Sequence, residues 1–125
     1  MELFLARVVY SNLDDKKVTE SYLVDALSYT EAEAKVLNFF SDATSDAVEI
    51  KTLKPLGVTE AVGLDVDGES YRYYVIGLTD GKGKTTARRV LIKELSAMDA
   101  CNTISDSWEN VVTSVRLLDV VTVIR

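Results

Sequence analysis

Apolar and polar positions fall into the same order twice along this chain. Leu3 to Tyr10 is a β-branched, aromatic and aliphatic run that ends in the turn-forming stretch Ser11-Asn12-Leu13-Asp14-Asp15. Lys17 to Ala26 then returns as the second strand of a hairpin. Ser28-x-x-Glu31 is a capping box. In such a box the serine oxygen accepts the amide of the third helical residue, whose glutamate reaches back. Ala32, Val36, Phe39 and Phe40 follow at i, i+4, i+7 and i+8, one apolar stripe of a helix. Ala47 to Leu53 is the next strand, before the single proline, Pro55.

The second half repeats that order. Tyr71 to Thr79 and Thr85 to Leu95 flank Asp80-Gly81-Lys82-Gly83, a tight-turn signal. Ser96-x-x-Asp99 caps a helix with the stripe Ala100, Ile104 and Trp108, and Val112 to Ile124 reads as the closing strand. A shift of 68 residues, the difference between Ser28 and Ser96, sets Leu23-Val24 on Leu91-Ile92. It also sets Val8 on Ile76, Val36 on Ile104 and Phe40 on Trp108. With a one-residue deletion after the helix, Val48 and Ile50 match Val115 and Leu117. The expectation is an α+β protein, internally duplicated as ββαβ-ββαβ. It would have six mainly antiparallel strands with two helices packed on the sheet. It reads as a single domain of two repeats, about 1–62 and 63–125, joined by the Gly/Asp-rich connector at Gly63–Gly68.

Alternation assigns one sheet face. Ala6, Val8 and Tyr10 match Tyr74, Ile76 and Leu78, and this apolar set should face the helices. The other set pairs Leu3, Leu5 and Arg7 with Tyr71, Tyr73 and Val75. It is mixed, fitting a solvated face, a barrel interior or a binding surface.

Composition narrows the chemistry. The 125 residues are 47% hydrophobic and 27% charged, so they can bury a core without metal or disulfide staples. With no histidine and one cysteine, disulfide frameworks, Ser-His-Asp triads and Cys-His pairs are excluded. No apolar run nears the ~20 residues of a membrane span, and the N-terminus lacks signal-peptide character. A cytoplasmic protein without membrane contact is expected.

Several constellations fall short of chemistry. Gly83-Lys84-Thr85 resembles the end of a phosphate loop, but Leu78 stands where its first glycine belongs, and strand-forming residues follow. Asp65-x-Asp67-Gly68 lacks the terminal glutamate of a calcium loop and reads as a turn. Asp14-Asp15 and Glu31/Glu33 are acid pairs with no base or nucleophile beside them. Cys101 and Trp108 read as core residues. A non-enzymatic protein with no cofactor and no metal is expected.

The run from Lys17-Val18-Thr19-Glu20-x-Tyr22-Leu23-Val24-Asp25-Ala26 to Ser28-Tyr29-Thr30-Glu31-Ala32-Glu33-Ala34 resembles the signature of a domain-of-unknown-function family. That family occurs in gut-type anaerobic bacteria and their bacteriophages, and the similarity covers most of the chain. The resemblance implies a compact accessory protein of phage or mobile-element type, with no activity to carry over.

Charge supplies the last clue. The net charge is −6, yet residues 71–93 hold Arg72, Lys82, Lys84, Arg88, Arg89 and Lys93 against Asp80 alone. Tyr71, Arg72, Tyr73, Lys82, Lys84, Arg88 and Arg89 are therefore the candidate site. Aromatic faces beside cations suit single-stranded nucleic acid, whose bases stack without sequence preference. The plain alternative is an edge hairpin whose charges deter aggregation. From another class comes a module contacting a host or phage protein, inhibitory or virion-associated. A homo-oligomer through an unpaired edge strand is also open.

Overall fold

The computed structural model describes residues 2–11, 14–41, 48–66, 68–79, 88–107 and 111–125. It contains β1 (Leu3–Ser11), β2 (Lys17–Asp25), α1 (Tyr29–Phe40), β3 (Glu49–Pro55) and β4 (Glu60–Val62). These are followed by β5 (Arg72–Thr79), β6 (Arg88–Glu94), α2 (Ala97–Ser107), β7 (Val111–Leu118) and β8 (Val123–Ile124). Among the described residues the fold is α+β, with two helices and two mixed four-stranded sheets.

The eight strands replace the expected six, and the sheets are mixed because β4 and β8 each join in parallel. Both extra strands are too short to carry an alternation signal. The run expected as one closing strand over 112–124 is two: β7 ends at Leu118, and β8 belongs to the other sheet.

The chain divides into two compact units, one of residues 1–56 with 120–125 and the other of residues 57–119. These bounds differ from the expected division at 62/63, because β4 and β8 each pair outside the half that encodes them. The sheet of the first unit runs β3-β1-β2-β8; that of the second, read in the same sense, runs β7-β5-β6-β4. The local bonds agree too. Val121 N–H donates to Ser21 O at 2.9 Å beside β2, and Thr59 N–H to Arg89 O at 2.8 Å beside β6.

In the first unit, Ala6 and Val8 of β1 and Tyr22 and Val24 of β2 pack against Ala32, Val36 and Phe40 of α1, with Ile124 of β8. Ser28 caps α1 by accepting Glu31 N–H at 3.1 Å, and the Glu31 carboxylate accepts Leu27 N–H at 3.3 Å. Phe39, expected in the buried stripe, stands at its rim and is 45% exposed. Its ring meets Tyr22 at 5.5 Å and Phe40 at 5.2 Å between centroids.

In the second unit, Tyr74, Ile76 and Leu78 of β5 and Val90 and Ile92 of β6 pack against Ala100 and Ile104 of α2. The helix-facing sets are those the alternation assigned. Ser96 caps α2 through Asp99 N–H at 3.1 Å. Asp99, shorter than glutamate, takes the Ser96 hydroxyl itself at 3.0 Å. The turn at Asn12, the tip over 80–83 and Trp108 lie outside the described residues.

The expected matching of the third strands needs correction. Ile50 lies opposite Val8 and Val115 opposite Ile76, so Ile50 answers to Val115 rather than to Leu117. Leu117 lies opposite Tyr74 as Leu53 lies opposite Ala6. Each pairing has an irregularity, between Arg7 and Val8 and between Gly77 and Leu78, and these extra residues shift the count.

Candidate functional site

Register decides which members of the basic hairpin share a face. Tyr73 pairs with Lys93, Val75 with Leu91 and Gly77 with Arg89, all on the side away from α2. Arg72 pairs with Glu94 and Leu78 with Arg88, on the helix side. The aromatic-basic set is thus divided between two faces. On β7, Leu118, Arg116 and Ser114 lie opposite Tyr73, Val75 and Gly77. One face therefore carries Arg89, Lys93 and Arg116 along the strands, together with Tyr73 and the buried Val75, Leu91 and Leu118.

Most of these groups have partners within their own unit. The Arg88 guanidinium is paired with the Glu60 carboxylate of β4, and both side chains are partly exposed. Arg72 Nη1 donates to Glu69 O at 2.8 Å and to Tyr71 O at 3.2 Å. Lys93 Nζ lies 5.5 Å from the centroid of the Tyr73 ring, a cation–π contact. Tyr73 is only 7% exposed. Tyr71 stands before β5, half-buried, its N–H donating to Gly68 O at 3.3 Å. Gly68 sits at φ 155°, and a Cβ there would come within 2.7 Å of the Tyr71 ring, so only glycine lets that ring lie down. Lys82 and Lys84 lie outside the described residues.

Close approach fixes another glycine. Thr113 Oγ1 donates to Gly77 O at 3.1 Å, and a Cβ on Gly77 would collide with Ser114 Oγ. The Gly83-Lys84-Thr85 stretch and Asp67 are not described; Leu64 and Asp65 form a turn, with Val66 N–H donating to Gly63 O at 3.2 Å. Cys101 is a free, half-buried thiol on α2. Among the described residues no group of three or more acids and cysteines is placed to hold a metal ion. No helix of the described residues is long and apolar enough to cross a membrane.

Two other features had no clear sequence signal. The first is a polar cluster in the first unit: Glu20 Oε1 accepts from the Tyr10 hydroxyl and, at 3.3 Å, from the Tyr22 hydroxyl. The Tyr10 phenol is held above its ordinary pKa, first by the hydrogen bond to Glu20; Tyr22 is raised further, first by burial. The second is apolar exposure at the start of each helix. Leu27 is 79% exposed and Leu95 50%, with Tyr29 and Met98 exposed beside them.

Together these features define a small α+β protein of two sheet-and-helix units. The chain belongs to the DUF4494 family, a domain of unknown function, whose model matches residues 2–123. No curated protein and no solved structure matches it.

Proposed function

We propose that this chain is a non-enzymatic accessory module that binds a protein partner in the cytoplasm. It is of phage or mobile-element type, and it arose by internal duplication. The shared strand order of the two sheets supports the duplication, and so do the reciprocal destinations of β4 and β8. The observation that carries the binding role is the exposed leucine before each cap serine. A leucine at that position ordinarily folds back onto the fourth residue of the helix. Here those fourth residues are Ala32 and Ala100, small and fully buried, so Leu27 and Leu95 stand in solvent at the same place in both units. Solvent-facing apolar groups on an acidic protein suit an apolar protein surface better than a polyanion.

The test is affinity capture from host lysate after nuclease digestion, comparing the native chain with Leu27→Ser/Leu95→Ser. A partner that survives nuclease and is lost with the double variant supports this reading. Capture that nuclease abolishes, or that the variant leaves unchanged, refutes it.

A second reading rests on the shared face of Arg89, Lys93 and Arg116: weak, sequence-tolerant binding of single-stranded nucleic acid. The affinity for labelled poly-dT, read by anisotropy, should then fall with salt with a log–log slope of about −0.7 per phosphate neutralised, and Arg116→Ala should remove about one such contact.

A further inference from the structure

The two sheets end in matching strands with opposite chemistry. β3 reads Glu-Ile-Lys-Thr-Leu-Lys-Pro, with two lysines along it and a proline at its end. Lysine and proline on an edge are what discourage another strand from pairing there. β7, the end strand of the second sheet, reads Val-Val-Thr-Ser-Val-Arg-Leu-Leu, with a single charge and no proline. Its irregularity lies at Thr113, whose hydroxyl is tied inward to Gly77 O, so Ser114 to Leu118 runs straight beyond it. Ser114, Arg116 and Leu117 are exposed, Leu117 at 56%, whereas its counterpart Leu53 is half-buried against the core of its own unit. Such an extended end strand, with one charge and no proline, is a template for one more strand.

We propose that two copies of this chain pair antiparallel through β7, with the two-fold axis at Leu117. A two-fold contact sets a residue on the axis against itself and exchanges its neighbours in pairs. On this axis Leu117 meets Leu117 of the second copy, Arg116 meets Leu118, and Val115 meets Asp119. Arg116 thus stays off its own copy, a like-charge opposition that an axis one residue earlier would force. The exposed leucine becomes a buried pair. The same construction fails on β3: an axis at Leu53 sets Lys51 against Pro55, which has no N–H to give. The inference is independent of the partner reading above, which uses the helix starts.

A ladder this short buries little area, so the pair is weak, populated toward high micromolar protein. Each copy carries −6, so added salt screens their mutual repulsion and strengthens the pair. Nucleic-acid binding would respond to salt in the opposite direction.

Sedimentation velocity from low-micromolar to near-millimolar concentration tests this. Native protein is expected to shift from monomer to dimer, more so at moderate than at low salt. Leu117→Lys should weaken association at least ~10-fold by placing like charges opposite one another, while the charge-conserving Lys51→Arg on β3 leaves it unchanged. In a Cys101→Ser background, Leu117→Cys should form disulfide-linked dimers on oxidation much faster than Ser114→Cys, a readout that does not depend on how Leu117→Lys folds. Native protein that stays monomeric throughout, or equal cross-linking at 114 and 117, overturns the proposal.

Discussion

Tyr10 donates its hydroxyl proton to the carboxylate of Glu20, the residue whose strand partner is Val8 rather than Tyr10 itself. The bond runs diagonally across the first hairpin, and Tyr22 donates to the same oxygen from the neighbouring strand position. Below these groups the Phe40 ring lies 5.1 Å from Tyr10 and 5.4 Å from Tyr22. One carboxylate therefore holds two phenols in their neutral form at the mouth of an aromatic cluster.

Alkaline titration should expose this arrangement. Both phenol pKa values are raised above the ordinary 10.0 in the folded chain. A raised pKa means the native state holds the proton more tightly. The stabilisation is complete below the unfolded-state value and is lost as pH climbs through the folded values. Of the six tyrosines, Tyr10 and Tyr22 should ionise late, as read by tyrosinate absorbance, and Glu20→Gln should bring Tyr10 back toward the others. Tyr10→Phe removes a hydrogen bond to a charged acceptor and should lower stability by about 1–2 kcal/mol in denaturant melts. Indistinguishable titration of the native and Glu20→Gln chains would contradict this account.

Helix capping yields a paired prediction. Ser28→Ala and Ser96→Ala each strip an N-terminal amide of its acceptor and should each cost about 1 kcal/mol. Glu31 adds an acid-side effect: Lys35 and the Leu27 amide hold its pKa below the ordinary value. That contribution is present above the unfolded-state pKa and is lost as pH falls through the folded one. Glu31→Gln should therefore flatten the acid limb of a plot of melting temperature against pH, leaving the neutral limb parallel.

Gly77→Ala should destabilise although alanine is the better strand residue. Propensity favours the change by about 0.5–1 kcal/mol, but the new Cβ collides with Ser114 Oγ. Because Ser114 is exposed and its hydroxyl can turn to another rotamer, we expect a net loss of no more than about 1 kcal/mol. Ser114→Gly in the same chain should recover most of it, giving a non-additive double-mutant cycle by chemical denaturation.

Ile104→Ala should cost about 2–5 kcal/mol, since Ile104 is 1% exposed and lies between α2 and the β5–β6 face. Calorimetry reads the effect directly.

How much of this was legible in the sequence depended on the length of each signal. Ser28 and Ser96 announce the helices because a cap needs one side chain at one spacing. Ala6, Val8 and Tyr10 announce the core face because their alternation runs the length of a strand. Glu60–Val62 could not be read, since three residues show no period, and with it went the Arg88–Glu60 pair. The segment from Val112 to Ile124 looked continuous because strand-forming residues lie on both sides of Asp119. The division of Tyr73 and Arg88 between two faces depends on the β5–β6 register, which no single-strand pattern contains.

The return of β8 to the first sheet has a consequence for the order in which the molecule matures on the ribosome. Residues 57–119 contain every strand of their own unit and are synthesised as one block. The unit begun at Leu3 receives Ile124, a buried member of its core, only after residues 57–119 have been made. The segment made first is thus completed last, and until then the outer edge of β2 at Leu23 and Val24 is without its strand. That edge of β2 is where a newly made chain stays open to strand capture longest.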